Sequence, residues 1–122
     1  MTRFDAIIIG AGQAGPSLAG RLTAAGMTVA FVERKLFGGT CVNTGCMPTK
    51  TLVASAYAAH VVRRAADYGV ISAAPQIDMA RVKARADAVS ANARAGVERS
   101  LRGMARCTVY QGQAQFESAS SG

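Results

Sequence analysis

Phe4-Asp5-Ala6-Ile7-Ile8-Ile9-Gly10-Ala11-Gly12-Gln13-Ala14-Gly15 decides the fold of this chain. The run from Phe4 to Ile9 is nearly all apolar and rich in isoleucine, the pattern of a strand buried on both faces of a parallel sheet. Three glycines at Gly10, Gly12 and Gly15 interrupt it. Pro16 to Ala25 then carries Leu18, Leu22 and Ala25 at helical spacing until Gly26 supplies a left-handed stop. Thr28 to Glu33 reads as a second strand. A right-handed crossover makes the two strands parallel.

Strand, glycine turn, helix and strand make half of a Rossmann-type nucleotide fold. Each glycine has its own task there. Gly10 permits the tight turn, Gly12 lets the backbone approach a pyrophosphate, and Gly15 lets the helix sit close to the strand. The helix start faces the phosphates. Glu33 follows Gly10 by 23 positions and can accept hydrogen bonds from both ribose hydroxyls of an adenosine, while its charge repels a 2'-phosphate. FAD or NAD is therefore favoured over NADP. The competing reading is a ligand-free glycine turn with a solvated glutamate.

Beyond the second strand stands Gly38-Gly39-Thr40-Cys41-Val42-Asn43-Thr44-Gly45-Cys46-Met47-Pro48-Thr49-Lys50, followed by helical residues to about Ala66. In a regular helix, cysteines five apart are separated by about 7.5 Å along the axis alone. A disulfide rarely tolerates more than about 7 Å between α-carbons. A bridge thus requires an irregular first turn, which Gly45 and Pro48 supply by relaxing the backbone and removing an amide. The helix start places positive potential on both sulfurs, and Lys50 lies one turn after Cys46. Redox catalysis competes here with zinc, with two unconnected cysteines and with a structural disulfide. Zinc wants four ligands, and Cys107 and the lone His60 offer no paired spacing. A chain without a signal sequence is expected in a reducing, cytoplasmic compartment, where disulfides tend to be catalytic.

At these residues the sequence closely resembles the pyridine nucleotide-disulfide oxidoreductases, the flavoprotein family of dihydrolipoamide dehydrogenase, glutathione reductase and mercuric reductase. The resemblance rests on the glycine turn with Ala19, on Glu33, and on Gly39 to Lys50 with its Gly-Gly-Thr-Cys, four-residue gap, Cys and Pro-x-Lys. It implies an α/β, Rossmann-like FAD-binding domain, here incomplete, with parallel strands and an inserted antiparallel helical hairpin. Residues 1–122 would be its N-terminal part, the nicotinamide-binding and dimerisation domains being absent. The resemblance picks FAD over NAD, held by Gly10, Gly12, Gly15, Glu33, Gly39, Thr40 and Lys50. It assigns Cys41 as the interchange thiol and Cys46 as the thiolate against the flavin, with Lys50 near the flavin's reactive edge. Electrons would pass from NAD(P)H through FAD to the Cys41–Cys46 disulfide, and on to a disulfide or dithiol substrate. The full-length protein is expected to be a homodimeric enzyme, and the chain alone inactive. The alternatives are a mercuric-ion reductase on the same scaffold and a non-catalytic nucleotide-binding or thiol-sensing module.

The rest of the chain supports this frame. Of its 122 residues half are hydrophobic, which suits one domain, and no apolar run is long enough to span a bilayer. The net charge of +7 is spread through helical segments with few aromatics nearby, so a nucleic-acid partner is not expected. From Met79 the positions Val82, Ala86, Val89, Ala93 and Gly96 mark the packed face of a helix capped by Asp78 and stopped by Gly103. Leu52, Ala56, Ala59 and Ala66 are the expected matching surface of an antiparallel partner. Cys107 opens a further strand as a small core residue without a redox partner, and His60 is not expected to be catalytic.

Overall fold

The computed structural model describes residues 2–118. Its order is β1 (Ala6–Ile9), α1 (Ala14–Ala24), β2 (Val29–Glu33), α2 (Gly39–Asn43), α3 (Cys46–Arg63), a short 3-10 turn (Ala65–Tyr68), α4 (Met79–Arg102) and β3 (Cys107–Gln111). The three strands form one parallel sheet in the order β1-β2-β3, with Ile8 opposite Phe31 and Phe31 opposite Val109. The central strand is the most buried, because both its edges are paired. Gly26 ends α1 at φ +87°, as its position in the sequence predicts.

One face of the sheet carries the core. Ile8, Val29 and Phe31 pack with Ala19 of α1, Phe37 and Leu101 of α4, while Leu22, Val97, Cys107 and Val109 close around them. The other face is more open than the isoleucine run predicts. Ile7 and Ile9 remain 54% and 58% exposed, since the helices that build the core lie over Ile8 on the opposite face.

The helix faces also differ in detail from their predicted stripes. In α1 the buried residues are Gly15 and Ala19, and Leu18 is about half exposed. In α3 the inward line is Thr51, Ser55 and Ala59, whereas Leu52 and Ala56 are exposed, and Ala66 lies beyond the helix in the 3-10 turn, also exposed. The hydroxyls explain how polar residues sit inward: Thr51 Oγ1 donates to the Met47 carbonyl at 2.8 Å, and Ser55 Oγ to that of Thr51 at 3.4 Å. In α4, Ala86 is buried as expected and Val82, Val89, Ala93 and Gly96 are half-buried, but Met79 is exposed and Ser90 joins the buried face. Asp78 caps α4 by accepting from the Arg81 amide at 3.0 Å.

The hairpin is antiparallel. Arg85, early in α4, reaches Thr51 and Ser55, and Arg94, further along α4, reaches back to Asn43. Ascending α4 therefore descends α3 toward the disulfide.

Candidate functional site

The site grows from the end of β1. Gly10 takes φ +102°, a conformation open to glycine and costly for other residues. A β-carbon at Gly15 would lie 2.4 Å from the Gly10 carbonyl oxygen and 3.0 Å from the Phe31 ring, so glycine there sets the distance between α1 and the strands. Gly12 is different. A β-carbon there would meet nothing within 4 Å, so no contact within the chain requires glycine at that position. The open approach over Gly12 is the room a pyrophosphate needs, and in that respect the turn fits a dinucleotide.

Glu33 ends β2 and is buried, with both carboxylate oxygens engaged. Oε2 accepts from the Ala11 amide at 2.8 Å and Oε1 from the Lys35 amide at 2.7 Å. The first bond ties the acid to the glycine turn. Each carboxylate oxygen still has a second lone pair, so the pair of oxygens keeps acceptor capacity for ribose hydroxyls.

The disulfide segment is joined directly to this turn. The Gly38 amide donates to the Ala11 carbonyl at 2.7 Å. Gly39 takes φ +62°, and a β-carbon on it would stand 2.8 Å from the α-carbon of Gly12. Two residues later Cys41 is half-buried within α2, and Cys46 is the first residue of α3 and exposed. The two cysteines are disulfide-bonded with α-carbons 4.6 Å apart.

The distortion predicted for the helix start is a complete break into two helices. At the break, a β-carbon on Gly45 would be 3.0 Å from the Thr40 carbonyl oxygen and 3.3 Å from the Cys41 α-carbon. Glycine is what lets the chain fold back far enough for the sulfurs to meet. The break also separates the two cysteines by element: Cys46 opens the long helix, whereas Cys41 belongs to the five-residue α2 and its sulfur reaches that helix start through the disulfide.

Thr40 and Lys50 are both exposed beside the cysteines in sequence, Thr40 just before Cys41 and Lys50 one turn past Cys46. His60 is exposed and stacks on Tyr57 with ring centroids 6.1 Å apart, ten residues along α3 from Lys50. Cys107 is free and packs against the core, and burial raises its thiol pKa. Among the described residues, no group of three or more His, Cys, Asp or Glu could hold a metal ion, and no helix is long and apolar enough to cross a membrane.

Asn43 and Arg94 belong to the site and are absent from the sequence reading. Asn43 Nδ2 donates to the carbonyls of Phe37 and Gly39, both at 2.9 Å, and its Oδ1 accepts from Arg94 at 3.0 Å. An asparagine between two cysteines is a recognisable candidate for local backbone bonding. Nothing near Arg94 in sequence marks its partner 51 residues away.

Comparison with known proteins bears on the family and the fold. A family model described as pyridine nucleotide-disulphide oxidoreductase matches residues 4–121. Dihydrolipoyl dehydrogenase of Zymomonas mobilis is 39% identical over 99 residues, covering 81% of this chain and 21% of the relative. A probable pyridine nucleotide-disulfide oxidoreductase of Escherichia coli, RclA, is 53% identical over 55 residues, covering 43% of this chain and 12% of the relative. The solved structure of the HOCl-induced flavoprotein disulfide reductase RclA from Escherichia coli superposes with a TM-score of 0.73 at 36% identity, covering 91% of this chain and 22% of that one. The chain thus spans less than a quarter of the length of each of these proteins.

Proposed function

The chain belongs to the pyridine nucleotide-disulphide oxidoreductase family, and from that premise we propose that it forms the flavin- and dithiol-bearing part of a larger oxidoreductase. That enzyme takes electrons from NAD(P)H and exchanges them with a disulfide or dithiol substrate of the dihydrolipoamide type. The observation that carries the reading is the contact of Gly39 with Gly12, because it makes the dinucleotide turn and the disulfide segment one continuous site.

In this reading Gly10, Gly12 and Gly15 receive the pyrophosphate of FAD, Glu33 the adenosine ribose, and Gly39, Thr40 and Lys50 line the path from turn to disulfide. FAD supplies two-electron transfer between a nicotinamide and a sulfur. The chain's own chemistry is thiol exchange. Two electrons break the Cys41–Cys46 bond and leave two sulfurs, of which Cys46 lies at the start of α3, where the helix's positive potential favours a negative sulfur. The Cys41 thiolate attacks one sulfur of a substrate disulfide, forming a mixed disulfide and expelling a thiolate. Cys46 then attacks the Cys41 sulfur, re-forming the pair and releasing the second substrate thiol. The reverse sequence oxidises a dithiol. The relatives named dihydrolipoyl dehydrogenase point to a substrate of the dihydrolipoamide type, and the one titled disulfide reductase to the forward direction.

The test has two arms. In the full-length subunit, Gly12→Ala and Glu33→Ala should lower flavin absorbance per protein while thermal melting of the ligand-free protein is little changed by Gly12→Ala. Retained flavin in both variants overturns the cofactor assignment. In the second arm the chain is reduced and alkylated at neutral pH, and the labelled cysteines are mapped by mass. Cys41 and Cys46 should gain label only after reduction, with Cys107 slowest because its raised pKa leaves little thiolate. A bridge to Cys107 would refute the pairing.

A further inference from the structure

We infer that Arg94 is a positioning residue for the Cys41–Cys46 couple, acting through Asn43 to bias the pair toward the disulfide; this rests on the redox reading of the pair given above. The bias follows from how α2 is held. A helix of five residues cannot maintain itself in water. Its fixed points are the buried Val42, the disulfide, and the side chain of Asn43.

Asn43 works as a staple. Its two amide bonds reach Phe37, which is buried in the core, and Gly39, which rests on Gly12. Its oxygen is held by the Arg94 guanidinium from α4. The amide plane is therefore fixed from both ends, and with it the backbone between the two cysteines. Opening the disulfide removes the covalent closure of the segment from Cys41 to Cys46, after which the staple and the buried Val42 are what keep Cys41 beside Cys46.

Linkage gives the direction. The closed disulfide enforces the backbone that Arg94 binds, so that bond is fully made in the oxidised chain. In the dithiol the segment has freedom to leave it. Removing Arg94 costs the oxidised form more than the reduced form, and the equilibrium moves toward the dithiol. Arg85 provides the contrast. It lies on the same helix and binds the Thr51 carbonyl at 3.0 Å and Ser55 Oγ at 3.3 Å, joining α4 to α3 beyond the cysteine segment. Arg85 thus stabilises the hairpin without touching the residues between the cysteines.

The experiment equilibrates the 122-residue chain with mixtures of glutathione and glutathione disulfide, quenches with acid, and reads the oxidised fraction by mass. Each reduction consumes two glutathione thiols and yields two protein thiols and one glutathione disulfide. Arg94→Met should shift the equilibrium constant roughly fivefold toward the dithiol, the scale of losing part of a hydrogen bond to a charged group. Asn43→Ala should give a shift in the same direction, and Arg94→Met should add less than about twofold to it, as expected for two residues acting through one bond. Arg85→Met should lower the melting temperature yet move the redox equilibrium by less than about twofold. An unchanged constant in Arg94→Met, or an equal shift in Arg85→Met, overturns the inference. Should Arg94→Met lose its far-UV circular dichroism, Arg94→Lys decides: a smaller shift toward the dithiol supports the inference and none overturns it. Failure of the unsubstituted pair to re-form in glutathione disulfide is a separate outcome, and it would overturn the redox reading itself.

Discussion

The two ends of the site are built by different physics. On the glycine-turn side, geometry is set by atoms that have no room to move: Gly15 against the Gly10 carbonyl and Phe31, Gly39 against Gly12, and the fully buried Phe31, Val29 and Leu101 beneath. On the disulfide side, α3 presents Thr51, Ser55 and Ala59 inward and leaves Val53, Tyr57 and Val61 at least half exposed, so few bulky side chains hold it. Directed bonds replace packing there, from Arg85 to Thr51 and from Arg94 to Asn43. The difference suits the two tasks proposed for these ends. A pyrophosphate needs a fixed cradle, whereas a dithiol has to open and close without disturbing its surroundings.

The sharpest way to break this comparison is to add one carbon on the packed side. Gly15→Ala places a β-carbon 2.4 Å from a backbone oxygen and 3.0 Å from a fully buried ring, so strands or helix must shift. We expect a loss of roughly 3 kcal/mol in urea unfolding, at the upper end for overpacking. Gly12→Ala, in the same turn, should stay within about 0.5 kcal/mol of the unsubstituted chain, because nothing lies within 4 Å of its added carbon. Equal losses in the two variants would show that the turn as a whole, and not the Gly15 contact, is the rigid element.

The next effect belongs to the disulfide side. Cutting the Cys41–Cys46 link by the paired substitution Cys41→Ser with Cys46→Ser releases a ring of six residues, whose closure entropy is about 2 kcal/mol. The same loss should follow from reducing the unsubstituted chain, read as a fall in the unfolding midpoint with and without reductant. A much larger loss would mean that the disulfide organises the hairpin and that the arginine bonds are secondary.

Much of the packed side was legible in the sequence because its signals are local. An isoleucine run, glycines at fixed spacing and an acid at the end of the second strand each constrain their immediate neighbours, and β1, α1 and β2 begin and end within about two residues of where those signals place them. The faces of the helices were less legible. Alanine occurs on nearly every side of α3 and α4, so periodicity gives little contrast between inside and outside. Thr51 and Ser55 turn inward because their hydroxyls are satisfied by their own helix, which an apolar pattern does not register. The exposed side of β1 escaped because an apolar run does not reveal whether both faces of its strand are covered. The break between α2 and α3 was half visible, through Gly45 and Pro48, while Arg94 depends on a fold that brings residues 51 apart into contact.

The smallest expected effect tests whether charge matters on the packed side at all. Asp5 precedes β1, and its Oδ2 accepts from the amide and the hydroxyl of Thr28, each at 2.7 Å. The Thr28 amide is the main reason its carboxyl pKa is lowered; the Thr28 hydroxyl and the nearby charges of Arg106 and Arg3 act in the same direction. A carboxylate with a lowered folded pKa stabilises the fold above its unfolded pKa, which is about 3.9. That contribution declines as pH falls through 3.9 toward the lower folded value and is absent below both. Asp5→Asn should therefore melt slightly below the unsubstituted chain at pH 6 to 7, by an amount that stays constant down to about pH 5 and shrinks to nothing under strong acid. Asp5 is fully exposed, so solvent and salt screen the charge part of the effect, and added salt should narrow the gap at neutral pH. A gap that persists unchanged at the acid limit would mean that the shape of the Asp5–Thr28 contact, not its charge, stabilises the start of the sheet, and the packed side would then be steric even at its solvent edge.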